Sequence, residues 1–146
     1  MSTPVVIEVV PFGGKRYEEV TELRRALLRR PLGLDFTADE LARERSDTHV
    51  AAIADGRVVG TLLLRSVGPR TVRLMRMAVA EVMQGQDIGS RLVGEAEALM
   101  RGRGARTIMM HARATAVGFY ERCGYRAVGG SFLEQGIPHI RMEKRL

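Results

Sequence analysis

The chain has 146 residues, 45% of them hydrophobic and 5% aromatic with no Trp, which is enough for one aliphatic core and too short for two comfortable domains. A formal net charge of +6, carried mostly by arginines scattered along the chain, fits a polyanionic small molecule, nucleic acid or an acidic surface and does not choose among them. One cysteine excludes an intramolecular disulfide and fits a reducing cytoplasm, and no apolar run reaches signal or membrane-spanning length.

Val5 to Val10 is an apolar, β-branched run that reads as a first strand, ended by Pro11-Phe12-Gly13-Gly14. From Arg16 to Arg30, Val20, Leu23, Ala26 and Leu27 recur at helical spacing, with Glu18 and Glu19 early and Arg24, Arg25, Arg29 and Arg30 late, as the helix dipole favours. Pro31 stops that helix. Thr37 and Glu40 form a capping-box pattern for a short second helix to about Arg45, whose charged residues suggest a surface lid. His49 to Ala54 and Val58 to Leu64 are strand runs joined by Asp55-Gly56, a hairpin signal because both turn positions want positive φ. After the Gly68-Pro69 turn, Thr71 to Ala80 completes an antiparallel meander.

The turn Gln84-Gly85-Gln86-Asp87-Ile88-Gly89-Ser90 then enters a helix carrying Leu92, Val93, Ala96, Leu99 and Met100. A helix start offers unpaired backbone N–H groups and a positive dipole end, which suits a pyrophosphate, and small residues let phosphates come close. Thr107 to Ala112 is the next strand. Thr115 can cap a short helix bearing Ala116, Phe119, Tyr120 and Cys123, ended by Gly124. Glu134-Gln135-Gly136-Ile137-Pro138-His139 forms a turn between two last strands, with His139, Arg141 and Glu143 on one face and Ile140 and Met142 on the other. The order β, α, α, β, β, β, α, β, α, β, β is α+β. No Gly-x-Ser-x-Gly elbow, nucleotide P-loop ending, Rossmann start or zinc spacing occurs.

Leu74 to Val79, the turn from Gln84 to Ser90, and the segment Ala116, Phe119, Tyr120, Glu121, Gly124 and Tyr125 together resemble the GNAT superfamily of acetyl-CoA-dependent N-acetyltransferases. The resemblance covers nearly the whole chain and is strongest from Leu74 to Tyr125. The Glu134 to His139 segment and His111-Ala112-Arg113 resemble an ElaA-like subgroup of that family. What the resemblance implies is a single domain over residues 1–146 with a mixed, mainly antiparallel sheet flanked by helices and a β-α-β crossover. It further implies acetyl-CoA as acyl donor, no metal, and direct attack by a primary amine in a ternary complex. Met77, Ala78, Val79, Gln84, Gly85, Gln86, Asp87, Ile88, Gly89 and Ser90 would hold the donor. The Val79 N–H would polarise the thioester carbonyl and the Tyr120 phenol would protonate the leaving thiolate.

Asp87 stands where the family has a glycine, which sets a carboxylate beside the expected pyrophosphate. An amine must lose a proton to attack, and Glu134 and His139 are the candidates to take it. His111 is expected to be a satisfied core histidine, His49 structural, and Cys123 a buried cysteine at a helix end. The acceptor, a small-molecule or peptide amine, would be shaped by Leu23 to Arg45 and by the Glu134 to His139 turn. Nucleic acid and membrane are not expected partners, while homodimers are common in the family. The other class left open is a non-catalytic acyl-CoA-binding or nucleic-acid-binding module on the same scaffold.

Overall fold

A computed structural model describes residues 4–146. Seven strands form one sheet: β1 (Val6–Val10), β2 (Thr48–Ala54), β3 (Arg57–Gly68), β4 (Thr71–Val79), β5 (Thr107–Arg113), β6 (Arg126–Glu134) and β7 (Ile137–Arg145), in the spatial order β1-β2-β3-β4-β5-β7-β6. Every neighbouring pair is antiparallel except β4 and β5, which run parallel because helix α3 (Ile88–Gly102) carries the chain between them. The hairpin at Asp55-Gly56 has φ of 51° and 72°, the pair of positive values that a two-residue loop between twisted strands demands.

Alternation along β2 sends Val50 and Ala52 to one core and Ala51 to the other. The larger core lies under α3, which buries Ile88, Leu92, Val93, Ala96 and Met100 along one stripe, each large side chain contributing roughly 1.5–3 kcal/mol. Gly60 on β3 lets this helix sit close, since a Cβ there would lie 3.0 Å from both Ile88 Cγ2 and Leu92 Cδ1. A short helix α4 (Val117–Arg122) packs on the same side of the sheet.

Helix α1 (Lys15–Arg24) covers the opposite face and continues through a π turn, Arg25–Arg29, into a 3-10 turn, Arg30–Leu32, closed by Gly33 at φ 70°. Its buried stripe is Tyr17, Val20, Thr21 and Arg24, shifted from the expected Val20, Leu23, Ala26 and Leu27. The shift follows from Arg24, which is fully buried because acceptors surround it: Glu44 Oε1 at 3.4 Å, His49 Nδ1 at 3.2 Å, Thr61 Oγ1 at 3.2 Å and the Leu62 carbonyl at 3.1 Å. Burial pushes its guanidinium down to about 9, so it remains charged at neutral pH.

The capping box forms as the sequence suggests, with Glu40 N–H donating to Thr37 Oγ1 and Thr37 N–H to Glu40 Oε1, both at 3.1 Å, ahead of α2 (Ala38–Ala42). The segment is not the free surface lid its charges suggested. Glu44 in the 3-10 turn that follows is 1% exposed and accepts from Tyr17 Oη at 2.6 Å, while pairing with Arg24 and Arg76. Arg29 and Arg76 flank the Phe36 ring at 4.2 and 4.9 Å and both pair with Glu40. Ion pairs and stacked guanidinium groups thus fasten α2 to β4.

Candidate active site

The sheet opens beside β4. Parallel pairing joins β4 to β5 only over Thr71 to Arg73 against Thr107 to Met109, so beyond Arg73 the two strands part. In the same stretch, β4 carries a bulge against β3: Thr61 pairs with Ala78 and Leu63 with Met75, leaving Arg76 and Met77 opposite Leu62. Arg76 takes φ 54° to make it. The bulge re-aims β4, and the residues from Leu74 to Val79 present an edge with no strand beside it on the β5 side.

A cleft of about 980 Å³ fills this opening, near the upper end of ordinary ligand pockets. One end is lined by Met77, Val79, Gln84, Gly85, Asp87, Ile88, Gly89 and Ser90, together with Ala116, Phe119, Tyr120 and Arg122. Two expected donor-site residues are not in this lining. Ala78 is 5% exposed because alternation turns it into the core, and Gln86 folds back so that its amide lies 4.0 Å from Met83 Sδ.

The turn is built for close approach. Gly85 has φ 83° and Asp87 has φ 58°, a left-handed geometry that Asp tolerates and glycine adopts freely. Asp87 is exposed and makes no side-chain cap, so the first N–H groups of α3, in residues that line the cleft, have no side-chain cap partner. Gly89 has no room for a side chain, since a Cβ would sit 3.1 Å from Met77 Cε and Phe119 Cζ. Gln84 instead donates its side-chain amide to the Val79 carbonyl at 3.3 Å and ties the turn to the strand end.

Tyr120 is 7% exposed, and its hydroxyl donates to Met77 Sδ at 3.5 Å, a weak acceptor. Burial raises its phenol well above the ordinary value, so it keeps its proton at neutral pH and can give it to a stronger base that enters. Thr115 does not cap α4. It lies in a 3-10 turn, Ala114–Ala116, and Ala116 takes the cap position without a side-chain bond. Cys123 is half-buried at the end of α4, its thiol pushed up by burial, and Lys144 Nζ donates to its carbonyl at 2.8 Å and to Glu97 at 3.1 Å.

The other end of the cleft is lined by Leu28, Arg29, Glu40, Arg73, Met75, Arg76, His111, Arg113, Glu134, Gln135 and His139. Glu134 and His139, paired from sequence, do meet here: His139 Nε2 lies 3.6 Å from Glu134 Oε2, while its Nδ1 donates to the Ile137 carbonyl at 2.7 Å. His111 corrects the reading from sequence. Rather than a satisfied core histidine it is half-buried in the cleft wall, with Nδ1 2.9 Å from Glu134 Oε1 and 3.0 Å from Arg73 Nη2. On β5, Ile108, Met110 and Ala112 are buried along one face, while Met109, also buried, shares the other with His111 and Arg113, so alternation alone does not mark His111 as a cleft residue. His49 is buried and neutral, accepting from Arg24 at Nδ1 and donating to the Glu44 carbonyl from Nε2 at 2.9 Å. Burial, then the Arg24 charge, pushes it down to about 4.

The cleft thus combines a splayed parallel pair, a helix start at its mouth and a buried, protonated phenol inside. Residues 30–146 match the family model of the acetyltransferase (GNAT) domain, and the chain belongs to that family. Among curated relatives, the uncharacterized protein YyaT of Bacillus subtilis is 31% identical over 98 residues, 67% of this chain and 66% of that protein, so the match spans slightly under two thirds of the relative. Escherichia coli ElaA shares the fold at a TM-score of 0.82 with 18% identity, covering 97% of this chain and 99% of ElaA. An aminoglycoside 6'-N-acetyltransferase solved with coenzyme A shares it at 0.81 with 20% identity, covering 96% of each chain. Among the described residues no helix is long and apolar enough to cross a membrane, and no group of three His, Cys, Asp or Glu stands ready for a metal ion.

Proposed function

We propose that this chain transfers the acetyl group of acetyl-CoA to a primary amine by direct attack within a ternary complex. The observation that carries the reading is the shared cleft: the turn from Gln84 to Ser90 and the buried Tyr120 hydroxyl open on the same groove along the unpaired edge of β4. A relative of the same fold solved with coenzyme A supports the donor. Acetyl-CoA supplies an acyl group already activated as a thioester. The N–H groups at the start of α3, with Gly85 leaving space, suit a pyrophosphate. The free edge of β4 offers main-chain pairing to an extended amide-bearing arm, and the Val79 N–H is the donor suited to a carbonyl that gains negative charge. Tyr120 gives its proton to the departing sulfur. Glu134 and His139 stand on the side from which a cationic amine would approach. The amine is a small molecule or a peptide terminus or side chain.

The test is release of free thiol from acetyl-CoA with a panel of primary amines, alongside calorimetric titration of coenzyme A. Thiol release that requires both chain and amine is expected. A chain that fails to bind coenzyme A, or binds it and acetylates none of the amines, overturns the reading.

A further inference from the structure

We infer that His111 is the general base of this site and that Glu134 acts through it as a positioning residue. The inference rests on the acetyl-transfer reading. It begins at one nitrogen. His111 Nδ1 has two close neighbours, Glu134 Oε1 at 2.9 Å and Arg73 Nη2 at 3.0 Å. A guanidinium can only donate and an ionised carboxylate can only accept, so Nδ1 cannot satisfy both. An unprotonated Nδ1 would set its lone pair against a carboxylate oxygen at 2.9 Å, which is repulsive. With a proton on Nδ1 the contact becomes a charge-assisted hydrogen bond at the cost of setting that N–H against Arg73 Nη2 at 3.0 Å, a contact Arg73 exchanges for its attraction to the same Glu134 oxygen at 3.7 Å. Proton placement on Nδ1 leaves Nε2 of the neutral ring with a lone pair.

That lone pair is available. Nε2 has no hydrogen-bond partner among the described residues, it is not among the buried unpartnered atoms, and the ring lines the cleft with 26% of the side chain exposed. The ring is held in place by Phe132, edge-on at a centroid distance of 5.1 Å. His139 is the poorer base. Its side chain is 8% exposed, Nδ1 is committed to the Ile137 carbonyl, and Nε2 faces Glu134 rather than open cleft. Around that ring stand Arg73 from β4, Glu134 from β6, and Arg141 opposite it on β7, so one acid and two bases set its field.

In the reaction, His111 Nε2 takes one proton from the acceptor's ammonium and later returns it to solvent. The freed nitrogen lone pair forms the C–N bond as the C–S bond breaks, and that electron pair stays on sulfur. Tyr120 neutralises the sulfur with its proton and is restored by the second proton of the amine, through water. The net products are an amide, a thiol and one released proton.

Two measurements decide the inference. Imidazole nitrogen NMR of the full chain reads the tautomer without any acceptor: the neutral ring of His111 is expected to be protonated at Nδ1, and Glu134→Gln to shift it toward Nε2–H. A wild-type His111 protonated at Nε2 overturns the proposal. Thiol release from acetyl-CoA is then compared for H111N and wild type, with benzylamine, an ammonium at neutral pH, and with aniline, which is already unprotonated. H111N is expected to lose about 100-fold in kcat/KM with benzylamine, much less with aniline, and the acidic limb of the pH profile, with added imidazole restoring part of the rate. Wild type that turns over while H111N matches it removes His111 alone. Wild type that releases no thiol with any primary amine removes the acetyl-transfer reading, and this one with it.

Discussion

Gly60→Ala probes the seat of α3, and through it the grip on the donor. The new methyl would sit 3.0 Å from Ile88 Cγ2 and from Leu92 Cδ1, both 2% exposed or less, with Ala52 Cβ at 3.6 Å on the remaining side. Each contact must open by a few tenths of an ångström, and Ile88 is the first residue of α3, directly after the turn proposed to hold the pyrophosphate. Overpacking of this kind costs about 1–3 kcal/mol. Gly60 is not at positive φ, so alanine also restricts the unfolded chain and returns about 0.4–1 kcal/mol. The net loss is roughly 0–2.6 kcal/mol, with a midpoint of about 1.3 kcal/mol that at this chain length lowers Tm by about 3–5 °C. A thermal melt reads that term. Calorimetry with coenzyme A reads the other, and affinity is expected to fall by about threefold or more, since the helix start moves with Ile88. Unchanged Tm and unchanged affinity would mean that α3 does not rest on Gly60 and that the turn is positioned by something else.

Tyr120→Phe should lower kcat about tenfold to a hundredfold and leave coenzyme A affinity near wild type, because the hydroxyl acts on the leaving sulfur; equal turnover in stopped-flow thiol detection would remove the phenol from the mechanism. Asp87→Gly should tighten coenzyme A binding by about two- to fivefold in low salt, the range of an exposed charge at a helix start, and markedly weaker binding would reject the placement of its carboxylate beside phosphate. His49 titrates near 6.5 when unfolded and at about 4 when folded, so its contribution is fully present above 6.5 and is lost as pH falls through 4. Between pH 7 and 5 the wild type should therefore lose about 2 kcal/mol more than H49N in urea unfolding, and parallel pH profiles for the two would refute that.

Local signals carried much of the fold. The capping box at Thr37, the positive-φ hairpin at Asp55-Gly56 and the stripe from Leu92 to Met100 are each set by residues within a few positions, and each forms. The cleft was legible only through resemblance. It depends on parallel pairing stopping after Arg73 and on a bulge at Arg76 and Met77, and neither has a local marker. Arg24 shows the same limit. A basic residue in the last turn of a helix reads as complementing the dipole, yet its place in the stripe with Tyr17, Val20 and Thr21 put it inside, where Glu44, twenty residues on, makes burial tolerable. His111 was misplaced because alternation names the face of a strand and not what lies over it; Glu134 and Arg73, both far away in sequence, decide that.

The parted edge of β4 has a consequence for how such a chain can change. Main-chain amides are carried by every residue except proline, so a wall that recognises through them constrains the path of the strand far more than its spelling. Substitutions can accumulate there while the bulge and its three-residue tether to β5 persist, which fits a shape shared with ElaA at 18% identity. The facing wall works by arginine, glutamate and histidine side chains. Under the proposed acetyl-transfer reading, exchange of a lining side chain there other than His111 and Glu134 would redirect which amine is accepted.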